Sequence, residues 1–267
     1  MLLKIQILKK IIFQISFVIL VVNIYGTFLP LKAYFAVNSN IIHKNNIPLL
    51  ESQETKKNLK DLDLENISKQ DLKRINYLFA GSIKHFWPDS NFFEFSENWI
   101  IFLLQRISLK TEKQILKIER FKWNKIIERG YGLCSQSSLA LYDFLKKKNF
   151  NPLLVSLGGH VVVNLNSAEK NYILDPDYNV IFESELSNLY FNSDIIDKAY
   201  KSAGYSQNKV NVLKKIYLSR EDNWIGTRSE YYPDLTKFYY LVNFFKWFIP
   251  ILIITILKFN EISKNKE

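Results

Sequence analysis

Cys134 is the only cysteine in the chain, and it lies in the segment Tyr131-Gly132-Leu133-Cys134, ahead of His160 and Asp175. A thiol, an imidazole and a carboxylate are the groups that covalent acyl transfer needs. The thiolate attacks, the imidazole moves the proton, and the carboxylate orients the imidazole. With a single thiol there is no competing choice of nucleophile. Each residue alone has a plainer reading. A lone Cys is most often a small buried hydrophobe. A His on an apolar strand is usually a core residue, and an Asp before Pro is usually a turn residue. What points to a site is their joint order, with Gly before Cys, Gly before His, and Asp closing a strand.

The elements that must position these residues can be read locally. Gly130 to Leu133 breaks a run of helical pattern. A helix is expected to begin at or just after Cys134, because Leu139, Leu141, Phe144 and Leu145 form one apolar stripe. Ser135 and Ser137 suit its first turn, and Lys146, Lys147 and Lys148 suit its last. A cysteine at that N-terminus meets backbone N–H groups and the positive end of the helix dipole. Both favour a thiolate and can hold an oxyanion. After Asn151-Pro152 the pattern changes to strands over 153–157, 160–165 and 172–174. A hairpin centred between Ser167 and Ala168 would pair His160 directly with Asp175, on one face of the sheet. Gly158 and Gly159 would allow a close backbone approach beside His160. Asp177 shares the parity of Asp175 and is the competing carboxylate, although Pro176 should end the strand first. His43 and His85 have no comparable context and are read as surface residues.

Residues 130–180 resemble the transglutaminase-like superfamily, which includes papain-like folds with a rearranged chain order. Tyr131-Gly132-Leu133-Cys134 resembles its Tyr-Gly-x-Cys. Gly159-His160-Val161-Val162-Val163 resembles its Gly-His strand, and Tyr172-Ile173-Leu174-Asp175-Pro176 its hydrophobic strand ending in Asp-Pro. The resemblance implies Cys134 as nucleophile, His160 as general base and acid, and Asp175 as the orienting residue. It also implies an α+β fold with a transglutaminase-like, papain-like core, in which the nucleophile's helix packs on a small antiparallel sheet. Many members carry Trp directly after the Cys, where this chain has Ser135 and then Gln136; the departure leaves the substrate type open. An upstream Trp often supplies an oxyanion donor in the family. Trp99 is the candidate here, with Trp87 and Trp123 competing. Similar bacterial proteins with the Asp-Pro-Asp-Tyr pattern of residues 175–178 tend to be exported or membrane-anchored, some of them beside surface-polysaccharide genes.

The rest of the chain bounds this reading. Of 267 residues, 48% are hydrophobic and 15% aromatic, enough for a packed core. The net charge of +10 is carried mainly by scattered Lys, and phosphate recognition tends to favour Arg, so no nucleic-acid partner is expected. A single Cys excludes an intrachain disulfide and a cysteine-based zinc site. No metal ligand set and no Gly-rich phosphate loop is apparent, so neither a metal nor a cofactor is expected.

Residues 11–31 carry no charge and follow Lys4, Lys9 and Lys10, long enough to span a bilayer. They are read as an uncleaved signal anchor in preference to a cleaved signal peptide. The apolar stretch 238–257 contains Lys246 and Pro250 and stays open between a kinked second span, an interfacial helix and a core helix. The expected organisation is a tail and signal anchor at 1–36, a polar linker at 37–70, and a transglutaminase-like domain at 71–236. The apolar segment 237–259 and a tail at 260–267 complete it. Helical patterns are expected over 68–84, 97–108 and 111–128. The function implied is a membrane-anchored cysteine enzyme, placed in the bacterial cell envelope and facing away from the cytoplasm. It would act on protein or peptide amides as a protease, deamidase or transamidase. Two alternatives stay open: a catalytically silent scaffold of the cell surface, and a cytosolic, coenzyme A-dependent acetyl-transferring enzyme, which the apolar N-terminus opposes. Oligomeric state is not readable from the sequence.

Overall fold

The structure is a computed structural model that describes residues 2–31, 47–64, 67–86, 93–108, 118–167, 170–219 and 223–264. Its helices are α1 (Leu2–Phe28), α2 (Ser52–Lys60), α3 (Lys69–Ser82), α4 (Trp99–Ser108), α5 (Trp123–Arg129) and α6 (Cys134–Lys147), followed by α7 (Leu186–Phe191), α8 (Ser193–Ser202), α9 (Gln207–Leu218), α10 (Arg228–Tyr231) and α11 (Pro233–Lys264). Its strands are β1 (Lys84–His85), β2 (Tyr131–Gly132), β3 (Pro152–Leu157), β4 (Val161–Asn166), β5 (Asn171–Asp175), β6 (Val180–Glu183) and β7 (Asn223–Gly226). These elements form two compact units. One comprises residues 1–31, 89–118 and 234–267, the other residues 32–88 and 119–233.

The second unit is built on an antiparallel five-stranded sheet of order β6-β5-β4-β3-β7. Strand alternation places Val155, Val162 and Ile173 on one face, where they join Leu189 of α7, Ile196 and Tyr200 of α8, and Leu213 and Tyr217 of α9 in a buried cluster. Leu154, Val163 and Leu174 are equally buried on the opposite face. Helix α6 packs on β3 and β4, with Ser138 Oγ donating to the Val161 carbonyl at 2.8 Å. Its Phe144 meets the rings of Phe79 from α3 and Trp123 from α5, with centroids 5.7 and 5.4 Å away. Helix α3 begins where a capping box dictates: Ser68 Oγ accepts from the Asp71 N–H, and the Asp71 carboxylate accepts from the Ser68 N–H.

Two expectations change in this unit. Within the expected polar linker, residues 52–60 are helical. Glu51 caps α2 by accepting the Glu54 N–H, and Leu59 is fully buried, so one apolar anchor in a charged stretch suffices. The Lys run expected in the last turn of α6 does more than meet the helix dipole. Lys147 pairs with Asp143, while Lys148 Nζ donates to the carbonyls of Lys60, the last residue of α2, and of Leu62 just beyond it. Of the pattern expected over 111–128, residues 111–117 lie outside the described residues, as do His43 and Trp87.

The other unit contains two helices long and apolar enough to cross a membrane, spanning Lys4–Phe28 and Pro233–Phe259. Helix α4, whose pattern was expected within the 71–236 domain, belongs to this unit. Pro250 has no N–H, which frees the carbonyl of Lys246 one turn earlier in α11. Asn23 Nδ2 of α1 donates to that oxygen at 2.7 Å, and Trp99 Nε1 of α4 donates at 3.1 Å. The Lys246 ammonium donates to the carbonyl of Glu97 at 3.0 Å and is nine-tenths buried. The two residues that counted against a helical span are therefore each satisfied, the lysine by the Glu97 carbonyl and the carbonyl freed by the proline by Asn23 and Trp99.

Candidate active site

Cys134 is the first residue of α6, as its flanking pattern indicates. Helix α5 ends at Gly130, whose φ of 76° is the left-handed cap that stops it. The chain then runs through the two-residue strand β2 into α6. A Cβ on Gly132 would lie 2.4 Å from Cβ of Gln136, so only glycine lets the turn before Cys134 pass over the first helical turn. Gln136 cannot withdraw: its Oε1 accepts from the Arg120 N–H at 3.1 Å and its Nε2 donates to the Arg120 carbonyl at 2.7 Å. The neighbouring Ser135 donates to Glu119 Oε1 at 2.5 Å. Burial raises the Glu119 carboxyl above its usual range, with bonds from Ser135 and Tyr232 working the other way. The position where the resembled family often has Trp is thus a buried polar link.

His160 stands just ahead of β4, and Asp175 ends β5. His160 Nε2 bonds Asp175 Oδ2 at 2.8 Å, and both side chains are buried. The register that brings them together is not the one expected. Val163 faces Leu174 and Asn166 faces Asn171, so each residue pairs two positions further along than a hairpin centred on Ser167 and Ala168 requires. Ser167 sets this: its N–H donates to the Lys170 carbonyl, and its hydroxyl bonds the same oxygen and the Lys170 N–H. A shift of two keeps the face, so His160 and Asp175 meet diagonally instead of directly across. Gly159 matters for its φ of 124°, with no heavy atom within 4 Å of a Cβ built on it; close backbone approach is not its role.

Asp175 is saturated with donors. Oδ2 accepts from His160 and from the Tyr200 hydroxyl at 2.6 Å; Oδ1 accepts the N–H groups of Asp177 and Tyr178, each at 3.1 Å. Tyr200 continues to Tyr217 at 3.2 Å. Asn76 Nδ2 holds the Asp175 carbonyl at 3.1 Å. The His160 ring also lies edge-on to Tyr178, with centroids 5.3 Å apart. Burial alone would lower the pKa of this imidazole. The charge and hydrogen bond of Asp175, with a smaller contribution from hydrogen-bonded Cys134, outweigh burial and push it up to about 10. With Nε2 committed to Asp175, Nδ1 is the nitrogen left for the sulfur.

A second imidazole–carboxylate pair adjoins the first. Ligand atoms of Cys134, His160 and Asp177 all lie within 4.8 Å of one another. Asp177 Oδ1 bonds His85 Nδ1 at 2.8 Å, and the Asp177 side chain is almost wholly buried. His85 is therefore no surface residue. It reaches the site because β1 pairs in parallel with β2, aligning His85 with Gly132. Nothing local in the sequence announces that two-residue pairing. Asp177 did carry a signal, its shared parity with Asp175. Tyr200, Tyr217 and Glu119 carried none, since their roles depend on packing from distant segments. Trp99 lies in the other unit, where its indole N–H is engaged by the Lys246 carbonyl. Trp123 packs on Phe79 and Phe144.

Compared with known proteins, the chain matches no family model, no curated protein and no solved structure.

Proposed function

We propose that this chain is a membrane-anchored cysteine enzyme of transglutaminase-like type that acts on amide bonds through a thioester. The observation that carries the reading is the 2.8 Å bond from His160 Nε2 to a saturated, buried Asp175, beside a thiol at a helix N-terminus. In the proposed reaction Cys134 Sγ attacks the amide carbonyl carbon, and the oxyanion that forms faces the N–H groups of the first turn of α6. The carbon–nitrogen bond breaks, and the proton held by His160 passes to the departing amine. Water or a second amine then attacks the thioester carbon, giving up a proton to His160 and expelling the sulfur. Water makes the protein a protease or deamidase; an amine makes it a cross-linking enzyme. Asp175 orients the ring and stabilises its charged form throughout.

Two apolar helices and the lysines flanking them support a membrane anchor, with the sheet unit on the non-cytoplasmic side. Alkylation of Cys134 in the full chain tests the chemistry. Rapid reaction well below the free-thiol pKa of about 8.5, lost in His160→Ala, is the expected result. Labelling that follows an ordinary thiol titration and ignores His160 would instead mark a silent scaffold. Labelling of the sheet unit by a membrane-impermeant reagent tests its side.

A further inference from the structure

The cluster around the sulfur holds more than acyl transfer uses. Asp177 is buried within 4.8 Å of both the thiol and the His160 ring, yet it neither orients His160 nor lies at the helix N-terminus. Two of the three groups are braced from behind by an independent partner. Asp175 holds His160 Nε2, turning Nδ1 toward the sulfur, and His85 holds one oxygen of Asp177. A ring nitrogen and a carboxylate oxygen, each fixed by an outer hydrogen bond, beside a half-buried thiol, supply the donor atoms for a metal ion and the partners that orient them.

The geometry points to Cys134 Sγ, His160 Nδ1 and Asp177 as a three-ligand site for a divalent metal of the zinc class, which silences the thiol reversibly. The donor set selects the metal. A sulfur ligand disfavours magnesium and calcium, while a mixed sulfur, nitrogen and oxygen set suits zinc or its spectroscopic substitute cobalt. Three protein ligands leave a fourth position for water. Metal–ligand bonds of about 2.1 Å in a tetrahedron require ligand atoms roughly 3.5 Å apart. The ligand atoms now lie within 4.8 Å of one another, so side-chain rotations need close a gap of at most about 1.3 Å. On binding, the metal takes lone pairs from sulfur, nitrogen and oxygen, and the proton of the thiol–imidazole pair leaves to solvent. No electron is transferred. The sulfur lone pair needed for attack is then occupied, and a chelator restores it.

Cobalt(II) added to the full chain in detergent tests this, because the chain has one cysteine and any thiolate-to-cobalt charge-transfer band reports Cys134. The expected result is one cobalt per chain, with that band and the d–d spectrum of a tetrahedral site. Cys134→Ser should lose the charge-transfer band. Asp177→Asn and His85→Ala should each weaken binding, His85→Ala by about 10–100-fold as an outer-shell change. Zinc should protect Cys134 from alkylation until chelated. Absence of the charge-transfer band, or an affinity unmoved by both Asp177→Asn and His85→Ala, would overturn the site. The outcome separates from that of the proposed function. Fast, His160-dependent alkylation without cobalt binding leaves the enzyme and removes the metal, whereas cobalt binding with ordinary alkylation does the reverse.

Discussion

Asp175→Asn isolates what the carboxylate does for His160. Asparagine keeps the shape and leaves one oxygen to accept the N–H groups of Asp177 and Tyr178, but it places a neutral amide against Nε2. In the native protein the ring is pushed up to about 10, with Asp175 the main raising influence and burial opposing it. Remove the charge and burial remains, so the ring should titrate at or below its unperturbed value of about 6.5. A change from about 10 to 6.5, at about 1.36 kcal/mol for each pH unit, is roughly 5 kcal/mol of imidazolium stabilisation. At pH 7 the protonated fraction would drop from nearly all to about one quarter or less. Histidine ring NMR measures this directly, since the chain has three histidines and His160→Ala assigns the signal. Cys134 alkylation at neutral pH should slow in step with the ring. A native His160 that titrates near 6.5, or a value that Asp175→Asn leaves unmoved, would refute the electrostatic argument.

Other outcomes follow from the same contacts. Because His160 binds its proton more tightly folded than unfolded, the resulting stability is complete below about pH 6.5 and is lost as pH rises toward 10; urea unfolding across that range should show the decline, and Asp175→Asn should flatten it. Gly132→Ala must displace Gln136 from both Arg120 bonds, at about 1 kcal/mol each plus the steric clash; thermal melting should register the loss, and Cys134 labelling should lose its pH advantage. Asn23→Ala should weaken the association of α1 with α11 by about 1 kcal/mol, read from melting in detergent, and Trp99→Phe combined with it should cost more than the sum, because the Lys246 carbonyl then has neither donor.

The helix start at Cys134 was legible because its causes are local: the glycine break before it and the apolar stripe after it. The strand that follows His160 was legible for the same reason, although it begins at Val161 and leaves His160 just ahead of it. The His160–Asp175 pairing was legible only in its parity. The hairpin register turned on whether Ser167 closed a turn with its own hydroxyl, a choice that composition does not express. His85 was misread because its neighbour, Gly132, is 47 positions away and the pairing covers two residues. Helix α2 was missed because a single buried leucine leaves no periodic trace. The lysine and proline in α11 looked like objections to a spanning helix; the lysine is answered by the Glu97 carbonyl, and the carbonyl freed by the proline by Trp99 and by Asn23, a polar residue in α1 that the sequence reading passed over.

That arrangement makes α1 more than a generic leash. A helix that only had to be greasy could be replaced by any hydrophobic segment of equal length, rotated freely and slid up or down. Here one amide on α1 must find one oxygen on α11, fixing both the azimuth and the depth at which the helices mate. Swapping in a polyleucine segment would keep a helix apolar enough to cross a membrane while leaving that oxygen answered by Trp99 alone, so α1 serves as a key cut for a particular lock.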